Sequence, residues 1–433
     1  MRREVRRPPV IRGEITPPGD KSISHRAAIM NSLAEGKAVV SNFSPGGDCG
    51  STLSCLRALG VGIRWLNEAA STIEVEGVGA KGFAEPKDIL DAGNSGTTMR
   101  LMTGLLAAQS CFSIISGDHS LRSRPMGRLI LPLRLMGARI WGRGRDTLAP
   151  LAIKGQELRG IEYALPMASA QIKSAILIAG LFTQKGRTTV QEPSPSRDHT
   201  ERLLQAMGVK VTTDGPFITL ISPLAPPKAI DIEVPGDISS AACWLILGVM
   251  HPDAVIKITN VGVNPLRTGI VDVLQEMGAH IRIENPRVAG NEPVADLVVQ
   301  SSQLRGACLD GALIPRIIDE IPLVAVAASL ATGTTLIKGA EELRVKETDR
   351  ISLLAQELTK LGASVEELPD GMKINGPTRL RGGHCSSHGD HRLAMALAVA
   401  GCLADGESII EDAEAVQISY PGFWQELATL TTH

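Results

Sequence analysis

A few short charged segments of this 433-residue chain carry residue types whose spacing suits the binding of small anions and the movement of protons. Asp20-Lys21-Ser22-Ile23-Ser24-His25-Arg26 sets cations and hydroxyls at what reads as a helix start. A helix start leaves backbone N–H groups unpaired and carries partial positive charge, so it attracts anions and disfavours cations. Lys21, Ser22 and Arg26 there point to a ligand; the bland alternative is Asp20 as a cap and Lys21 as a solvated residue. Gly93-Asn94-Ser95-Gly96-Thr97-Thr98-Met99-Arg100 offers glycine-opened backbone and hydroxyls for close approach of an anion, or only serine and threonine caps. Arg122-Ser123-Arg124-Pro125 sets an arginine fork, suited to carboxylate or phosphate, before the next helix. Ser169-Ala170-Gln171 with Lys173, and Ser196-Arg197-Asp198-His199, add neutral donors and cations.

The second half holds the carboxylates. Glu342-Leu343-Arg344-Val345-Lys346-Glu347-Thr348-Asp349-Arg350 is the densest charged stretch, Asp319 heads an apolar helix, and Asp390-His391-Arg392 opens another. Five or six cations against Asp319 and Glu347 suit two anionic substrates together with proton transfers. His384, His388 and His391 lack a fourth ligand, so no metal is expected. Gly77-Val78-Gly79-Ala80-Lys81-Gly82 has a dinucleotide spacing, but Pro86 falls where that motif's helix must run.

These segments recur because the elements recur. A polar turn opening an apolar, small-residue helix appears at Pro18-Gly19-Asp20, Gly93-Asn94-Ser95, Ala168-Ser169-Ala170, Pro235-Gly236-Asp237, Asp319-Glu320 and Asp390-His391-Arg392. The spacing of about 70 to 80 residues divides the chain into six units. Out of phase with it, amphipathic helices end at Gly60, Gly137, Gly208, Gly278 and Gly362, the expected residue just past a helix end. Each unit reads as helix, strand, helix and one or two strands: helix 21–34, strand 38–43, helix 51–59, then strands 62–65 and 72–76. The sixth ends after the helix 423–430, and the strand 9–16 is expected to complete it, placing both termini in one domain.

Composition narrows the function. The chain is 43% hydrophobic and 21% charged with net charge −2, enough for more than one core and without the basic surface of a nucleic-acid binder. No apolar run reaches the ~18 residues of a membrane span. Seven scattered cysteines without a C-x-x-C pair argue against a disulfide framework. A soluble, cytoplasmic, monomeric protein without nucleic-acid or membrane partners is expected.

The segments 18–26, 93–100, 343–350 and 390–392, in that order and spacing, resemble the 5-enolpyruvylshikimate-3-phosphate synthases, a branch of the enolpyruvyl transferase family, over essentially the whole chain. The resemblance implies an α/β (α+β) fold, a two-domain inverse α/β barrel of six βαβαββ-type units, three per domain. Residues 1–19 with 236–433 would form one domain and 20–235 the other, with crossings at the twin Pro-Gly-Asp phrases. It further implies transfer of the enolpyruvyl group of phosphoenolpyruvate to the 5-hydroxyl of shikimate 3-phosphate, with no cofactor or metal. Lys21, Asn94, Gly96, Arg124, Gln171, Arg350 and Arg392 would bind phosphoenolpyruvate. Ser22, Arg26, Ser169, Gln171, Ser196, Arg197, Asp319 and Lys346 would bind shikimate 3-phosphate. Asp319, Glu347 and Lys21 would be catalytic. Ala170, Glu342 and Ile418 depart from the better-known members, as in the divergent bacterial subgroup, and Gly96 implies that glyphosate still fits. The alternative is a UDP-N-acetylglucosamine enolpyruvyl transferase; its usual Lys-Asn pair and loop cysteine are replaced here by Lys21-Ser22 and Ser120-Leu121-Arg122-Ser123-Arg124-Pro125.

Overall fold

The computed structural model describes residues 1–183 and 186–431, the side chain of residue 80 excepted. Its six repeat-opening helices are Lys21–Leu33, Gly96–Ala107, Ala170–Gly180, Ile238–Met250, Ile321–Leu330 and His391–Leu403. All but the first, which also buries His25, Arg26 and Asn31, are predominantly apolar, and each is buried on nearly every face. Asp20, Ser95, Ser169, Asp237 and Asp390 cap five of them through side-chain oxygens that accept from backbone N–H groups. In the fifth repeat the cap position belongs to Glu320, whose side chain makes no capping bond, and Asp319 lies one residue outside. Asp319 therefore does not occupy the cap position of that helix.

The second helix class, Gly47–Ala58, Gly127–Leu135, His199–Ala206, Gly269–Glu276 and Arg350–Lys360, is amphipathic. The five glycines that follow have φ of 88°, 107°, 85°, 108° and 91°, the region where a Cβ is strained. The same requirement at five places is why the phrase is visible in the sequence.

The strands form six small sheets, each with a parallel pair. In the second repeat Leu90–Asp91 runs parallel to Phe112–Ser116, which pairs antiparallel with Leu148–Lys154, itself antiparallel to Arg139–Gly142. The N-terminal segment departs from expectation. Ile11–Ile15, the expected completion of the sixth repeat, lies parallel to Ala254–Gly262 of the fourth, with Ile11 opposite Ala254. The sixth sheet is completed instead by Arg3–Arg6, antiparallel to Glu407–Glu411. The reason is an exchange: Ile232–Glu233, just before the fourth opening, lies parallel to Glu35–Ser41 of the first repeat, leaving the fourth sheet a vacant parallel edge. Strand pattern shows a face, and only the assembled fold shows which edge is free.

The chain divides into two compact units, Gly19–Val234 with Ala289–Glu292, and Met1–Pro18 with Pro235–Val288 and Pro293 onward. The four residues 289–292, expected with the terminal domain, group with the other unit. Each unit has three sheets and its own apolar core, one around Leu56, Met102 and Ile176, the other around Trp244, Val324 and Leu397.

The twin Pro-Gly-Asp phrases share a packing requirement. A Cβ on Gly19 would lie 1.7 Å from the Asn42 carbonyl oxygen, and one on Gly236 would lie 2.9 Å from that of Asn260. Both asparagines are left-handed, with φ of 50° and 57°. Each phrase threads past the backbone of a left-handed asparagine that leaves no room for a side chain.

Candidate functional site

The unit 19–234 gathers the first set of site residues at three helix openings. Lys21 is little exposed, and its Nζ donates to Asp48 Oδ2 at 3.1 Å. Asp48 sits in the first turn of Gly47–Ala58, where its charge also suits the helix dipole. Arg124 is buried, and its Nη2 donates to Asn94 Oδ1 at 2.7 Å, while Asn94 Nδ2 donates to Asp118 Oδ2 at 2.6 Å. Asn94 is thereby a spacer that orients the guanidinium. A Cβ on Gly96 would lie 2.7 Å from Arg100 Nη1 and 3.2 Å from Arg124 Nη1, so the missing side chain leaves the two guanidinium groups room beside a helix N-terminus.

Gln171 bridges two openings, accepting from Arg100 Nη1 at 2.6 Å and donating to Thr97 Oγ1 at 2.9 Å. Arg26 is buried, donating to Thr200 Oγ1 at 2.6 Å, Ser174 Oγ at 2.7 Å and the Ser22 carbonyl at 3.0 Å. Burial lowers its pKa to about 10, which still leaves it charged near neutrality. Ser169 serves as a helix cap, accepting from Ile172 N–H at 3.4 Å. Ser196 is buried, and its hydroxyl donates to Glu192. Arg197 follows it and is close enough to oppose the charge of Arg26.

Behind these residues runs a buried hydroxyl chain. His25 Nδ1 shares a 2.7 Å hydrogen bond with Thr52 Oγ1, which shares one of 2.7 Å with Thr98 Oγ1, which donates to Ser95 Oγ at 2.8 Å. Burial, reinforced by Lys21 and Arg26, pushes the His25 pKa well below its ordinary value, so the ring is neutral and suited to hold a hydroxyl.

The unit containing both termini supplies the carboxylates. Arg350 is 2% exposed and meets three of them: Nε donates to Asp390 Oδ2 at 2.8 Å, Nη2 donates to Glu347 Oε2 at 2.6 Å, and Nη1 lies 3.8 Å from Asp319 Oδ1. Burial works against its charge, but Asp390, Glu347 and Asp319 outweigh it and raise the pKa. Asp390 also caps its own helix through Arg392 N–H, so one aspartate fixes a helix start and a guanidinium together. Burial lowers the Lys346 pKa, with Arg350 reinforcing the shift and Asp319 opposing it. Arg392 differs from Arg350: it is buried, and its guanidinium meets no hydrogen-bond or ion-pair partner among the described residues. A buried cation of this kind calls for an external anion.

Sequence reasoning brought Lys21, Asn94, Gly96, Arg124 and Gln171 into one unit and Asp319, Lys346, Glu347, Arg350 and Arg392 into the other, as their positions in the chain imply. It did not assign Asp48, Arg100, Glu192 or Asp390. Asp390 was visible in its motif, and Arg100 follows Gly96 by one helical turn; Asp48 and Glu192 carry no local signal, since an acidic first turn and a strand-end glutamate are ordinary surface features.

A model of the EPSP synthase (3-phosphoshikimate 1-carboxyvinyltransferase) family matches residues 5–427. The chain belongs to this family. A 3-phosphoshikimate 1-carboxyvinyltransferase of Desulforudis audaxviator is 52% identical over 420 residues, 97% of each chain. One of Herpetosiphon aurantiacus is 51% identical over 432 residues, 99% of each chain. The solved EPSP synthase of Acinetobacter baumannii superposes with a TM-score of 0.86 at 42% identity, covering 99% of this chain and 98% of that one. The enolpyruvyl transferase NikO of Streptomyces tendae, 18% identical with a TM-score of 0.80, covering 99% of this chain and 96% of that one, shares the fold. The fold is thus the two-domain inverse α/β architecture of the EPSP synthase family. Among the described residues no group of three His, Cys, Asp or Glu side chains could hold a metal, and no helix is long and apolar enough to cross a membrane.

Proposed function

We propose that this chain transfers the enolpyruvyl group of phosphoenolpyruvate to the 5-hydroxyl of shikimate 3-phosphate, releasing phosphate. Family membership over nearly the whole chain supports the reaction. The observation that carries the residue roles is the clustering of Asp319 and Glu347 on the one buried guanidinium of Arg350, with Lys346 in the same electrostatic cluster. Two carboxylates held on one cation are oriented without being neutralised, which suits paired proton transfers.

In this reading the 5-hydroxyl oxygen attacks C2 of phosphoenolpyruvate and passes its proton to Asp319. Glu347 delivers a proton to C3, giving a tetrahedral adduct. Removal of a C3 proton then re-forms the C2–C3 double bond as the C2–O bond to phosphate breaks. Lys21, Arg124, Gln171, Arg350 and Arg392 take the charges of phosphoenolpyruvate, with Asn94 and Gly96 shaping its place. Ser22, Arg26, Ser169, Gln171, Ser196, Arg197, Asp319 and Lys346 take shikimate 3-phosphate. The free guanidinium of Arg392 supports an anion ligand there, and the spacing of Gly96 from two guanidinium groups supports another.

The test is phosphate release from phosphoenolpyruvate, assayed with shikimate 3-phosphate and, separately, with UDP-N-acetylglucosamine. Release with the first alone is expected; release with the UDP-sugar alone would overturn the assignment.

A further inference from the structure

Lys173 is a cation at the end of the first turn of an apolar helix, four residues beyond the cap Ser169, with a side chain 1% exposed. An ammonium buried this deeply is costly unless its partners are close and well placed. Its Nζ donates to Glu192 Oε2 at 2.9 Å and to the Ser196 carbonyl at 3.3 Å, and lies 2.7 Å from Glu201 Oε1. Glu192 in turn accepts both donors of Ser196, the backbone N–H at 3.4 Å and the hydroxyl. Lys173 therefore grips Ser196 twice, directly at its carbonyl and through Glu192 at its two donors.

For stability alone, apolar side chains filling this volume would serve as well as a buried ion cluster. The cluster joins two segments that are otherwise separate in the chain. One is the helix start with Ser169 and Gln171, and the other is the loop after strand Arg187–Gln191 with Ser196 and Arg197. We propose that Lys173 is a positioning residue for shikimate 3-phosphate, pinning the Glu192–Ser196 segment to the helix that carries Ser169 and Gln171. The role rests on the proposed function, in which Ser169 and Ser196 bind that substrate. It also predicts which substrate is affected: among the described residues Lys173 makes no hydrogen bond or ion pair with Lys21, Asn94 or Arg124.

The test compares the parent enzyme with Lys173→Met and Lys173→Arg, measuring KM for each substrate, kcat, calorimetric affinity for shikimate 3-phosphate, and Tm. Lys173→Met is expected to raise KM and Kd for shikimate 3-phosphate about tenfold or more, the scale on which small displacements of binding groups act. KM for phosphoenolpyruvate should stay within about twofold, and Lys173→Arg should restore part of the loss. Should Lys173→Met fail to fold, Lys173→Met/Glu201→Gln removes one positive and one negative charge together and is expected to fold with the same selective loss. A folded variant with unchanged affinity for shikimate 3-phosphate overturns the inference, as does an equal rise in both KM values. A parent that binds no shikimate 3-phosphate overturns the substrate reading itself, a result distinct from a binding parent whose variants bind equally well.

Discussion

At the residue scale, similar side chains do different work according to their partners. Arg350 and Arg392 belong to neighbouring motifs and are both buried, yet Arg350 is held by Asp390 and Glu347 while the Arg392 guanidinium has no described partner. Arg350 is thus the frame on which the carboxylates are oriented, and Arg392 is the one set to meet a substrate anion. Glu347→Gln keeps the shape and one acceptor for Arg350 but removes the proton-carrying group. It should lower kcat by about 10²–10⁴-fold; calorimetry should show shikimate 3-phosphate binding within about threefold of the parent if only proton transfer is lost. Near-parent turnover would remove Glu347 from the chemistry. Gly96→Ala places a methyl against Arg100 Nη1 at 2.7 Å and Arg124 Nη1 at 3.2 Å. These groups are side-chain ends and can yield, so the enzyme should fold while KM for phosphoenolpyruvate rises about tenfold. Inhibition by glyphosate, competitive with phosphoenolpyruvate in the parent, should weaken in step. A parent already insensitive to glyphosate would contradict the unobstructed pocket at Gly96.

At the element scale, one substitution should act with opposite signs at two glycines. Gly208 closes the helix His199–Ala206 with φ of 85° and would meet nothing within 4 Å of an added Cβ. Gly208→Ala therefore isolates backbone strain and should cost about 1–2 kcal/mol in urea unfolding. Gly50 lies exposed inside the helix Gly47–Ala58, also with open space around a Cβ. Gly50→Ala should stabilise by about 0.5–1 kcal/mol, because alanine loses less backbone freedom on folding. Equal effects at both sites would mean that the C-terminal glycines are not held by conformation. The caps follow the same local logic, since a Ser or Asp oxygen reaches an N–H two or three residues on. That is why the openings are readable from a single segment. The strand partners are not: Ile11–Ile15 pairs with residues about 240 positions later, and its alternation would fit any half-buried edge.

At the scale of the whole molecule, one half-buried carboxyl group outside the site should set part of the pH dependence of stability. In the unit holding both termini, Trp244 Nε1 donates to Tyr420 OH at 3.0 Å, and Tyr420 OH donates to Glu426. Burial raises the Glu426 pKa from 4.5 to about 7. The folded state then holds this proton more tightly than the unfolded chain, so its stabilisation is full below about pH 4.5 and lost as pH rises to about 7, on the order of 3 kcal/mol at most. Glu426→Gln should flatten the fall in Tm across that window, whereas an unchanged slope would place the titration elsewhere.

The sequence by itself determined what neighbouring residues decide: six apolar helices with polar openings, five glycine-ended amphipathic helices, and motifs with the charges and hydroxyls of an anion-handling enzyme. These are legible because backbone strain, capping and helix periodicity act over a few residues. Tertiary structure alone decided which charges answer one another. Lys173, a lone cation in an apolar helix, gave a visible sign of burial, but its partners Glu192 and Glu201 lie 19 and 28 residues away, and nothing near them marks the pairing. The same holds for Arg350 with Asp390, 40 residues on, and for the exchange of Ile11–Ile15 and Ile232–Glu233 between the first and fourth sheets. A buried charge or an open sheet edge selects its partner by proximity in the folded chain, and proximity is what a linear pattern does not contain.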